Sequence, residues 1–174
     1  TQSQTDLINK PEFNPINPVA YDMGMRCKVK TISKYNSSIT VGSTEDDMKL
    51  LGFTAALSTF SNLRGFDAST TDLILYDEFI PEVHERPLKE EGAALLNVYE
   101  SVCRNRELQG KKPLQMLLLS NANRLDSPVL AELELESTAL GFVAGFTGEA
   151  IVESVKGKGI IADFIMLKEG ISRI

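Results

Sequence analysis

Leu73-Ile74-Leu75-Tyr76-Asp77-Glu78 is an apolar run closed by two acids, and it has the form of the Walker B strand of a nucleoside triphosphatase. A buried strand that stops on two carboxylates delivers them to the rim of a sheet. There the first can hold a hydrated magnesium ion and the second can orient the attacking water. The plain alternative is a core strand that ends in a solvated acidic turn, and the hexapeptide alone does not separate the two.

Working outward, a loop with Pro81, His84 and Pro87 follows. The spacing of Leu95, Val98, Tyr99 and Val102 then predicts a helix from about Leu88 to Glu107, with Pro113 marking its far boundary. Leu114 to Leu119 is a second unbroken apolar strand, closed by Ser120-Asn121-Ala122-Asn123. Strand, helix, strand with unbroken apolar strands is the pattern of a parallel sheet covered on both faces. Upstream, Arg26 to Ser33 and Ser38 to Ser43 read as a hairpin about Tyr35-Asn36-Ser37, and Leu50 to Ser58 as a further strand. Thr59 to Thr71 reads as a turn or short helix. Beyond Pro128, Val129 to Thr138 reads as a helix, and Glu149 to Val155 with Gly159 to Leu167 as two strands about Lys156-Gly157-Lys158.

The 174 residues suffice for one domain with a genuine core. No window approaches the length of apolar sequence that a membrane helix needs, and no basic-then-apolar signal segment opens the chain, so a soluble intracellular protein is expected. Cys27 and Cys103 match no metal spacing and are expected as reduced thiols. The net charge of -6 argues against a broad nucleic-acid-binding surface, so any DNA contact is expected to be local or made by an assembly. The chain starts at Thr1 and runs through a polar segment to Asn17, which reads as the beginning of a fragment.

Ligands of open α/β sheets bind outside the carboxyl ends of the strands. Asp77, Glu78, Ser120 and Asn121 are therefore expected to gather at one edge, with Asn121 able to touch the attacking water or the terminal phosphate. A turn-forming role for Asn121 explains it equally simply. At 100° per residue Arg106 falls on the face of Leu95 and Val102, and Arg104 falls opposite, pointing outward. An outward arginine can act as a finger in the site of an adjacent subunit, or merely favour the helix dipole. The phosphate cradle G-x-x-x-x-G-K-[ST] is missing from the chain, for neither Gly110-Lys111 nor Gly157-Lys158 fits it. His84 and Lys49 read as solvated, and Glu85, Glu90 and Glu91 as a solvated acidic helix entry.

Asp72 through Ile80, then Ala94 to Asn97 leading to Cys103-Arg104-Asn105-Arg106-Glu107, then Leu118 to Ala122, together resemble the DNA encapsidation ATPases of the phi-twenty-nine-type phages, relatives of the terminase large subunit. The resemblance covers Leu51 to Pro128, and Gly52 to Ser58 also looks like that family's strand preceding Walker B. It implies an α/β fold of the P-loop NTPase (ASCE) kind, a mostly parallel sheet with flanking helices and an added β-hairpin, here lacking the Walker A segment. The chain would be one ATPase-core fragment: a polar lead over 1–20, the hairpin region over 21–50, the Walker B to sensor core over 51–128 and final strands over 129–174. The resemblance also implies a ring-forming motor that hydrolyses ATP with Mg2+ and drives double-stranded DNA into a prohead. Its partners would be DNA, the portal or connector and further copies of itself, with no membrane, and its place the host cell cytoplasm at the prohead portal. By matching position, Asp77 would be the magnesium-associated acid, Glu78 the catalytic glutamate, Arg104 the finger, Ser120 a nucleotide contact and Asn121 the sensor. The isolated chain is expected to show little or no hydrolysis. The competing expectation is a non-catalytic assembly or portal-docking module with a degenerate NTPase fold.

Overall fold

A computed structural model describes residues 6–63, 68–82, 89–104, 106–121 and 124–144, and the backbone of 151–157 and 160–166. The chain divides into two compact units, Thr1–Leu73 with Asn97–Gln115 and Ile74–Leu96 with Met116–Ile174.

In the first unit the expected hairpin gains a third strand. β1 (Arg26–Ser33), β2 (Asn36–Gly42) and β3 (Lys49–Ala55) form an antiparallel meander with β2 in the centre. Gly52–Ser58, likened above to the strand before Walker B, contributes to β3 as far as Ala55 and pairs with β2. Asn36 Nδ2 donates to Ser33 Oγ at 2.7 Å and closes the first turn, the local side-chain bonding that makes asparagine a turn residue. Gly42 is required where β2 ends, since a Cβ there would lie 2.7 Å from Asp47 Oδ1 and 2.9 Å from Met48 Cα. Strand alternation turns Ser37 and Ile39 inward, where both are buried. The helix α1 (Ile16–Asp22) lies along β1.

The polar lead is folded from Asp6 onward. Asn14 donates to Ile8 O at 3.0 Å and accepts from Ile16 N at 2.8 Å, and Asn9 accepts from the Thr54 hydroxyl at 2.7 Å. Both asparagines are buried. Their docking runs through local side-chain hydrogen bonds, which an apolar periodicity does not register.

β4 (Leu73–Asp77) and β5 (Gln115–Leu119) are neighbours in a two-stranded parallel sheet, and the chain between them carries α2 (Glu91–Cys103). The helix is shorter than the span of 88–107 expected for it. Glu90 holds a positive φ of 65° at its entry, and beyond Cys103 the chain turns so that Arg106 N donates to Cys103 O at 3.1 Å. Leu95, Val98 and Val102 form the buried stripe that the periodicity demanded, and the Tyr99 hydroxyl donates to Leu114 O at 3.1 Å.

Arg106 is 2% exposed. Its guanidinium donates to Lys112 O at 3.1 Å, to Thr71 O, and to Asp72 Oδ1 at 2.7 Å, so one buried cation ties the residues that lead into β4 to those that lead into β5. The ladder then starts with Gln115 N donating to Asp72 O at 3.1 Å. Only one face of this parallel pair is covered. Leu73, Leu75, Leu117 and Leu119 are each about half exposed, against the expectation of cover on both faces.

The single helix expected over Val129 to Thr138 is two helices, α3 (Pro128–Glu132) and α4 (Glu136–Ala144). Ser127 caps the first by accepting from Val129 N at 3.3 Å, with Pro128 at the first helical position. Its end is a Schellman motif: Leu135 N donates to Leu130 O at 2.9 Å and Glu134 N to Ala131 O at 3.0 Å, with Glu134 left-handed at φ 57°. Glutamate thus stands where glycine is usual, which hides the break from a reading of punctuation. Gly92 admits α3 against the first turn of α2, since a Cβ there would lie 2.5 Å from Glu132 Cβ and from Pro128 O. β6 (Ile151–Gly157) and β7 (Ile160–Met166) form an antiparallel hairpin.

Candidate functional site: the carboxyl ends of the parallel strands

β4 runs out on Asp77, and the next residue, Glu78, adopts the left-handed conformation with φ 56°. A non-glycine side chain there costs of order 1 kcal/mol or more and persists only where the surroundings enforce it. The turn is closed locally by Glu78 N donating to Asp77 Oδ1 at 3.0 Å. Both acids are exposed at the strand end.

The loop that follows is stitched to the end of β5. Ile80 N donates to Ser120 Oγ at 3.1 Å, the Ser120 hydroxyl lies 3.4 Å from Ile80 O, and the Ser127 hydroxyl donates to Phe79 O at 3.3 Å. Ile80 is buried beneath this net. Asp77, Glu78, Ser120 and Asn121 thus meet at one edge of the sheet, with Asn121 exposed next to Ser120. The Ser120 hydroxyl is engaged with the loop, which makes it a group that positions the strand end. Ala122 and Asn123 lie outside the described residues.

Arg104 is exposed in the turn that follows α2. The helix ends at Cys103, so the direction of Arg104 is set by that turn and not by the helical period used to assign its face. Arg106 is inward, as expected, but it gets there through the same turn. Asn105, between them, lies outside the described residues, as do His84 and Glu85. Lys49 is exposed, and Cys27 and Cys103 are free thiols.

Glu91 corrects the picture of a solvated acidic helix entry. It is buried, and its Oε1 accepts a hydrogen bond from the Tyr76 hydroxyl. The first turn of α2 supplies the partial positive charge that a buried carboxylate needs, and the neighbouring Glu90 stays in water. Burial first, then the bond to Glu91 and its charge, push the Tyr76 phenol far above its ordinary range. Sequence reasoning missed this pair, although a tyrosine inside an apolar strand is itself the signal, because a buried phenol needs a partner. Tyr76 immediately precedes Asp77, so the bond fixes the strand end against the helix entry.

Among the described residues no three His, Cys, Asp or Glu side chains are placed to hold a metal ion. A magnesium ion that arrives on a triphosphate asks for less: one or two carboxylates complete a shell made of phosphate oxygens and water. Exposed Asp77 at a strand end fits that need. Glu78 beside it can orient water, and Asn121 can bond the water or a phosphate oxygen.

No family model, no curated protein and no solved structure matches the chain. The chemistry of the site therefore rests on its own geometry. No helix among the described residues is long and apolar enough to cross a membrane.

Proposed function

We propose that this chain is the core of an ATPase that drives double-stranded DNA into a viral prohead, working as a homo-oligomeric ring at the portal in the host cell cytoplasm. The observation that carries this reading is the pair of stitched parallel strand ends, which present Asp77 and a conformationally constrained Glu78 beside Ser120-Asn121. Asp77 would hold Mg2+ and Glu78 would align the attacking water. Asn121 would sense the terminal phosphate, and Arg104 would reach a neighbouring subunit's nucleotide. The P-loop type of fold is part of the proposal, and so is a phosphate cradle supplied from outside these 174 residues.

The test is ATP turnover by the parent protein carrying Glu78→Gln or Arg104→Ala. Loss of the water-orienting acid is expected to lower turnover by about 10²- to 10⁴-fold, and loss of the finger by about 10³-fold or more. Mixing the two variants should restore part of the activity, because a finger acts across the subunit interface. Wild-type turnover by Arg104→Ala would remove the finger, and wild-type turnover by Glu78→Gln would remove the site.

The second reading, a portal-docking module without catalysis, is favoured by the uncovered leucines of β4 and β5 and by the missing cradle. A G-x-x-x-x-G-K-[ST] segment elsewhere in the parent polypeptide favours the motor, and its absence favours the module.

A further inference from the structure

Across its three strands the outward face of the meander carries three different chemistries. The register pairs Lys28 with Thr40 and Thr40 with Leu50, and pairs Lys30 with Ser38 and Ser38 with Phe53. Residues directly opposite in an antiparallel sheet share a face. β1 therefore lines one edge with Arg26, Lys28 and Lys30, β2 sets the hydroxyls of Ser38 and Thr40 in the middle, and β3 lines the far edge with Leu50 and Phe53. Phe53 is 40% exposed. Alternate residues of a strand stand about 6.8 Å apart, so the three cations form one continuous row along β1. Arg26 and Lys28 also border an open groove of about 560 Å3 walled by Tyr21 and Met25.

A carboxylate already sits between two of these cations. Glu45 accepts from Arg26 Nη1 at 3.1 Å and pairs with Lys28 Nζ. Its loop is held in shape by Asp47, whose carboxylate accepts from Ser43 N at 3.1 Å, from Thr44 N at 2.6 Å and from the Thr44 hydroxyl at 3.1 Å. The bond to Lys28 first, then its charge and the bond to Arg26, hold the Glu45 carboxyl below its ordinary range. Two cations converging on one anionic group is the arrangement that a phosphate would use.

We propose that the outward face of the meander binds an unpaired nucleic-acid strand, its phosphates along Arg26, Lys28 and Lys30 and its bases laid over Ser38 and Thr40 onto Phe53. Glu45 is a built-in competitor for the first two cations. A duplex offers the same phosphates but keeps its base faces in its own stack, leaving the phenyl ring unused. An acidic protein segment would satisfy the cations and offer nothing to the ring. Cations along one edge with an aromatic ring across the face are the two elements of a single-strand platform. The assignment stands on the meander alone and does not depend on phosphoryl transfer.

The experiment is fluorescence anisotropy of a labelled oligothymidylate titrated with the whole chain at several salt concentrations. Three phosphate contacts predict a log–log salt slope of about −2. Arg26→Ala with Lys28→Ala should flatten that slope and weaken binding by at least about tenfold. Phe53→Ala should weaken it by on the order of tenfold and leave the slope unchanged. Glu45→Gln should tighten it severalfold, a gain that misfolding does not produce, and Lys89→Ala, an exposed cation outside the meander, should leave it unchanged. The proposal is overturned by any of three results: no saturable binding by Glu45→Gln, equal weakening by Lys89→Ala, or a duplex that binds as tightly as the oligothymidylate and ignores Phe53→Ala.

Discussion

The meander and the parallel pair are both short sheets, yet they finish their second faces in opposite ways. Outward positions on β1 and β2 are Arg26, Lys28, Lys30, Ser38 and Thr40, groups that water solvates well. Outward positions on β4 and β5 are Leu73, Leu75, Leu117 and Leu119, of which Leu75 is 58% exposed. Antiparallel sheets commonly meet water on one side, whereas parallel strands are built for cover on both. The meander turns polar groups outward on β1 and β2 and keeps its outward apolar groups, Leu50 and Phe53, to the β3 edge, whereas the parallel pair carries leucines outward on both of its strands. Each leucine is about half exposed and so forgoes about 1 kcal/mol of burial, and a further layer over all four would be worth several kcal/mol. Polar groups meanwhile hold the two ends of the pair, Arg106 at the amino ends and Ser120 at the carboxyl ends.

The sharpest way to break this contrast is to truncate leucines on both sides of the question. Leu95→Ala, in the buried stripe of α2, should cost about 3–4 kcal/mol in urea unfolding, and Leu117→Ala, half exposed, no more than about 1 kcal/mol. Equal costs would mean that the leucine face is covered after all. Arg106→Ala comes next, at about 3 kcal/mol, because it strips donors from the carbonyls of Thr71 and Lys112 and breaks the bond to Asp72. Hydrogen exchange should show β4 and β5 losing protection while β1 to β3 keep theirs. Uniform loss across both sheets would show that the arginine does not act specifically on the pair.

Tyr76→Phe is a smaller change, expected to cost about 1–2 kcal/mol at neutral pH by leaving buried Glu91 short of a donor. Its pH dependence carries a sign. The Tyr76 phenol is raised by folding, so its contribution is fully present below the ordinary tyrosine range near pH ~10 and is lost as pH rises beyond that range. Wild-type stability should therefore fall on the alkaline side, and Tyr76→Phe should flatten that limb. An alkaline limb unchanged by the substitution would assign it to other groups.

Periodicity carried the regular elements into view. The stripe Leu95, Val98, Val102, the hairpin and the two apolar strands are all where spacing put them, because each is repeated by several residues. The Asp77-Glu78 and Ser120-Asn121 ends were legible for the same reason, as the points where apolar runs stop. What escaped depended on single side chains. Nothing in the helical period reports that α2 ends at Cys103 and that a turn then buries Arg106. Nor does an acidic cluster reveal which member, here Glu91, is taken inward by a tyrosine fifteen residues earlier. The third strand's union with the hairpin was hidden too, since pairing partners are a long-range choice that local propensity does not encode.

The smallest effects distinguish two left-handed glutamates. Glu134 closes the Schellman end of α3, a backbone pattern that demands φ near its 57°. Glycine adopts that conformation without the steric penalty, so Glu134→Gly should stabilise the chain by about 0.5–1 kcal/mol and leave turnover by the parent protein unaltered. Glu78 has nearly the same φ, 56°, at the end of a strand that could have stopped on a glycine at no cost. Glu78→Gly should likewise raise stability by up to about 1 kcal/mol and yet abolish turnover, because there the strain holds a carboxylate at the strand rim. Stability is read by thermal unfolding and turnover by phosphate release. If the Glu78→Gly parent protein still hydrolyses ATP, the turn is only a way to end β4, and the acid pair loses its place in the chemistry.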